Sequence, residues 1–93
     1  MTREQEGQAF PLGLATEGLP LRIVSLRAGH SMDHRLAELG LHIGSVVSVV
    51  QRQGGGVVVA RDAARIAVGG GMAMKIMVVP VSPDGLRTGR NDR

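Results

Sequence analysis

His30, His34 and Glu38 recur every four residues and form the chain's one cluster of side chains able to hold a metal ion. On a helix, His34 and Glu38 stand one above the other, a single turn apart. Asp33 is adjacent, and His42 follows shortly after. Imidazole and carboxylate donors suit Fe²⁺ or Zn²⁺. Two donors one turn apart make half a site, and a complete one needs a third or fourth ligand with groups that orient them. The competing reading is a solvated polar helix face opposite an apolar one.

Other candidate chemistry is weaker. Gly69-Gly70-Gly71 precedes Lys75, but the spacing does not fit a phosphate-binding loop, and Ile76 stands where Ser or Thr is required. Turn chemistry explains these glycines and Gly54 to Gly56. Met72, Met74 and Met77 offer thioethers, which favour Cu(I) over Fe²⁺ and serve equally as core filler. No serine, histidine and acid arrangement singles itself out as catalytic.

The elements that position these residues follow from local pattern. Met32, Leu36 and Leu39 fall at i, i+4 and i+7, which predicts a helix over about Ser31 to Leu39 with Ser31 as its cap and Asp33 in its first turn. Gly40 supplies the left-handed residue that ends it. With Leu39 as the last helical cap, Leu36 and Leu41 are the pair that meets in a Schellman motif. Gly44 then turns the chain into the valine-rich run Ser45–Arg52.

Upstream, Met1–Gln8 is polar, Phe10–Leu14 is a short apolar lead-in, and Leu21–Leu26 is β-prone. Downstream, Gly54-Gly55-Gly56 closes a hairpin to Val57–Arg61, Asp62 begins a second tight turn, and Arg65–Val68 follows. Met72–Lys75 is expected to make one helical turn before the last strand, Ile76–Val81. The expected architecture is mainly β: a small, partly open barrel of about five strands with one short α-helix, the strands buried on both faces. It spans residues 9–81, with disordered tails at 1–8 and 82–93.

The totals narrow the function classes. Ninety-three residues suit one small domain, whose marginal size favours a partner or a second copy. No cysteine is present, which excludes a disulfide framework and thiolate metal sites. No apolar run approaches the roughly 18 residues of a membrane span, and a cytoplasmic location is expected. The net charge of +3 is scattered, and Phe10 is the only aromatic residue. Nucleic-acid binding through a stacking platform is therefore disfavoured.

The run Arg35-Leu36-x-Glu38-Leu39-Gly40-Leu41-x-x-Gly44, followed by the valine-rich strand, the hairpin, Arg65-Ile66-Ala67-Val68 and the final Ile76 strand, resembles the FeoA family. The likeness covers about Phe10 to Val81 and departs from the usual pattern where Ile43 replaces a proline before Gly44. It implies an SH3-like barrel, related to the C-terminal domain of diphtheria-toxin-repressor-type iron regulators. It also implies a non-enzymatic accessory role in bacterial ferrous iron uptake, assisting the membrane GTPase transporter FeoB. On this reading Met32, Leu36, Leu39, Leu41 and Ile43 line a partner-binding cleft beside the helix, with Gly40 and Gly44 as structural residues. Two alternatives stand beside it: an Fe²⁺ or Zn²⁺ sensor or chaperone using His30, His34 and Glu38, and a small nucleic-acid-binding barrel.

Overall fold

The computed structural model describes residues 8–27 and 30–81, with His30 described by its backbone alone. The tails expected at either end lie almost wholly outside these residues. Six strands form the sheet: β1 (Phe10–Pro11), β2 (Leu21–Leu26), β3 (Val46–Gln53), β4 (Gly56–Arg61), β5 (Ala64–Val68) and β6 (Ile76–Pro80). Helix α1 (His30–Glu38) joins β2 to β3, and the single turn α2 (Gly70–Ala73) joins β5 to β6. Their order is β1-β6-β2-β3-β4-β5, and every pairing is antiparallel. This is the expected small open barrel, with one strand more. The extra strand is the apolar lead-in, of which Phe10 and Pro11 pair with Val78 and Met77. A two-residue strand carries no periodicity to read in advance.

The sheet is buried mainly on one face rather than on both, with Val79 of β6 the buried exception on the other. Val47 and Val49 of β3, Val57 and Val59 of β4, and Ile66 and Val68 of β5 point into a core with Leu21, Ile23, Ile76 and Val78. Leu12, on a 3₁₀ turn after β1, and Leu36 of α1 close its ends. The alternate residues, Val46 and Val50 among them, face outward. Strand alternation with a single packed layer dictates this. The consequence is surplus apolar surface: Leu14, Leu19, Leu39, Ile43, Val46, Val50 and Met74 are all exposed.

The hairpins are set by turn chemistry. Gly54 and Gly55 both have positive φ (59° and 83°), the arrangement of a type I′ turn, and join β3 to β4. A bulge between Val49 and Gln51 bends β3 and leaves Val50 outside the pairing. Two glycines serve close approach rather than turning. A Cβ on Gly56 would run into the Val68 carbonyl oxygen, and one on Gly70 into the Gly55 carbonyl oxygen. Gly70 therefore starts α2 two residues earlier than helix propensity suggests, because the hairpin tip needs a bare backbone against it.

Candidate partner-binding surface

Helix α1 ends as its leucines require. Gly40 has φ +86°, the Leu41 N–H donates to the Leu36 carbonyl at 2.8 Å, and the Gly40 N–H donates to the Ala37 carbonyl at 2.9 Å. These are the two bonds of a Schellman motif, and Leu36 and Leu41 are its buried apolar pair. Ser31 lies inside the first turn, so it is not the residue that precedes the helix. Gly40 has a second reason to be bare: a Cβ there would stand 2.5 Å from the Arg61 guanidinium, which lies across the helix end. A cation suits that end, where backbone carbonyls point outward.

The loop after Gly40 is fixed by a serine that the sequence pattern did not single out. Ser45 is buried; its Oγ accepts the His42 N–H at 3.1 Å and donates to the Gly40 carbonyl at 3.4 Å. The Ser45 N–H bonds the His42 carbonyl at 2.9 Å, and the Ile23 N–H bonds the Ser45 carbonyl at 2.9 Å. Gly44, with φ +100°, donates to the Ile23 carbonyl at 2.8 Å. Nothing surrounds a Cβ at Gly44, so its backbone angle alone calls for glycine. The loop is thus laced onto β2. A serine directly after the second glycine is the local signal for such a hub.

This frame sorts the expected partner-binding residues. Leu36 is 0% and Leu41 1% exposed, so these two belong to the core and cannot line a docking cleft. Leu41, folded back by the Schellman turn, packs in the core beside Leu36. Leu39 is 42% and Ile43 61% exposed, and Val46 beyond them is 39% exposed. Met32 is half-buried against the core. An open groove of about 280 Å³, lined by Pro20, Val46, Val47, Ser48, Ala60 and Asp62, continues from Val46 across β3 and β4. An apolar rim on a hydrogen-bonded loop, leading into a shallow groove, is the chain's best-built candidate site.

The candidate metal ligands are less gathered. His34 and Glu38 are both exposed on α1, one turn apart, and the His30 side chain lies outside the described residues. Among the described residues, no group of three or more His, Asp or Glu side chains is placed to share an ion. Phe10 is partly buried against the core, which takes its ring from any stacking role. No helix among the described residues is long and apolar enough to cross a membrane.

Comparison with known proteins decides the family. Residues 10–80 match the FeoA domain. The chain belongs to the FeoA family. A Methanocaldococcus jannaschii protein assigned as Fe(2+) transport protein A is 39% identical over 69 residues, covering 74% of this chain and 84% of that one. The crystal structure of an iron uptake regulatory protein, FeoA, superposes with a TM-score of 0.72 at 26% identity, over 78% of this chain and 97% of that one. A manganese-dependent transcriptional repressor gives the same TM-score and identity, but the match spans only 42% of the repressor. This FeoA-family chain therefore shares its barrel with iron-transport accessory proteins and with one module of metal-dependent repressors.

Proposed function

We propose that this chain is a non-enzymatic accessory protein of ferrous iron uptake that acts in the cytoplasm by binding the cytosolic part of a FeoB-type membrane GTPase transporter. Leu39, Ile43 and Val46 make the contact, and the loop pinned by Ser45 holds them in place. The observation that carries this reading is the exposure of three large apolar side chains within eight residues, on backbone that its own hydrogen bonds hold rigid. Preorganised apolar groups of this kind are the usual anchors of protein interfaces, because little ordering entropy remains to be lost on docking. Membership of a ferrous-iron-transport family supports the choice of partner.

The test is retention of the transporter's cytosolic domain on immobilised chain. Ile43→Asp and Leu39→Asp alter exposed positions and should leave the melting temperature within a few degrees. Each should lower retention at least tenfold. Retention equal to wild type from both folded variants would remove this surface from consideration.

A further inference from the structure

Strand β5 forms one rim of the sheet and pairs only with β4. The turn between them has two residues, Asp62 and Ala63, and Asp62 alone has positive φ (+55°), as in a type II′ turn. In such a hairpin the flanking pair, Arg61 and Ala64, exchanges both hydrogen bonds. Antiparallel alternation then assigns the next bonded pairs to Val59–Ile66 and Val57–Val68. The N–H and C=O groups of Arg65 and Ala67 consequently point away from β4, along the open rim. Among the described residues neither makes a backbone bond in any turn, loop or cap, and both residues are exposed.

Protein edges of this sort are ordinarily blunted by short length, charged side chains, proline, a bulge or a covering element, and of these β5 has modest length and one charge, Arg65. β5 has no proline, and its register runs unbroken from Ala64 to Val68. The opposite rim, β1, is two residues long and does not pair with it. The side chains beside the free peptide groups define what would fit. Ile66 and Val68 are buried, so Arg65 and Ala67 share the outer face. Across the sheet from Arg65 lie Ala60 and then Ser48, with no acid in the row. Ala67 leaves room for a large neighbour. A second copy fits poorly, since two β5 strands joined through Arg65 and Ala67 would bring the Arg65 side chains diagonally together on one face.

We propose that β5 accepts an extended strand from another protein, with Asp or Glu opposite Arg65 and apolar side chains flanking it. Strand addition supplies backbone hydrogen bonds for affinity, and the Arg65–carboxylate pair supplies register. This contact is separate from the one at Ile43 and does not depend on it.

Amide hydrogen exchange and ¹⁵N NMR of the whole chain test it, with the blocked peptide Val-Glu-Val-Glu-Val as probe and its lysine counterpart as control. In the free protein the Arg65 and Ala67 amides should exchange fast and those of Ile66 and Val68 slowly. Adding the glutamate peptide should shift Arg65 and Ala67 and slow their exchange, with at least tenfold weaker binding of the lysine peptide. Ala67→Pro removes an outward donor at a position where a strand tolerates proline, and it should keep the fold while abolishing the shifts. Arg65→Glu should reverse the peptide preference. Three results would overturn the proposal: Arg65 and Ala67 amides already as protected as their neighbours, both peptides bound equally or not at all up to millimolar concentration, or concentration-dependent dimers with shifts confined to β5.

Discussion

Single side chains decide how α1 meets the barrel. Gly40→Ala must adopt φ +86° and displace the Arg61 guanidinium at once. The backbone penalty alone is about 1–2 kcal/mol, so denaturant unfolding should show a loss of at least that size. Arg52 acts as a second fastener: its guanidinium donates to the Gly13 carbonyl at 2.6 Å and also to the Ala15 carbonyl, tying the 3₁₀ turn to β3. Arg52→Met keeps the aliphatic stem and removes both bonds, with an expected loss of about 1–3 kcal/mol in the same assay. A metal ion held on α1 by the pair His34 and Glu38, which stand exposed one turn apart, needs both side chains. Zn²⁺ should then shift the His34 ring signals of the wild type and leave them in place in Glu38→Ala. A His34 response that survives in Glu38→Ala takes this pair out of the metal reading.

At the scale of elements, the glycines separate into two kinds that composition does not distinguish. Gly56→Ala and Gly70→Ala push a methyl group into backbone carbonyls of neighbouring segments and should each cost about 1–3 kcal/mol. Gly71 lies in the same helical turn with open space around a Cβ, so Gly71→Ala should be neutral or stabilising by up to about 1 kcal/mol. Thermal melts of the three variants read this contrast directly. The contrast also marks what the sequence could and could not reveal. The Schellman turn was legible because glycine and its two leucines lie within six residues and satisfy each other locally. The crossing of the hairpin tip by α2 was not, because Gly70 answers to Gly55, distant in sequence. For the same reason nothing local marks Arg52 and Arg61 as more than surface charge, and the leucine pattern alone does not say that Leu36 and Leu41 are buried while Leu39 stays exposed. Neither outcome departs from local rules; tertiary contacts chose among options the local rules left open.

For the molecule as a whole, a single packed layer leaves large apolar groups uncovered among the described residues. Three of these exposed groups, Leu39, Ile43 and Val46, fall on or beside the hydrogen-bonded loop between α1 and β3, where the proposed contact lies. Leu14 and Met74, also exposed, sit instead beside the 3₁₀ turn and α2, where a Cβ on Gly13 would lie 3.0 Å from the Met74 sulfur. The two regions carry separable methyl signals. The most direct measurement is therefore methyl NMR of the labelled chain during titration with the unlabelled cytosolic domain of the transporter. The Leu39, Ile43 and Val46 methyl signals should shift or broaden first and most, while those of Leu14 and Met74 stay in place. Unchanged signals at Leu39, Ile43 and Val46 in a complex that forms through other residues would contradict the account.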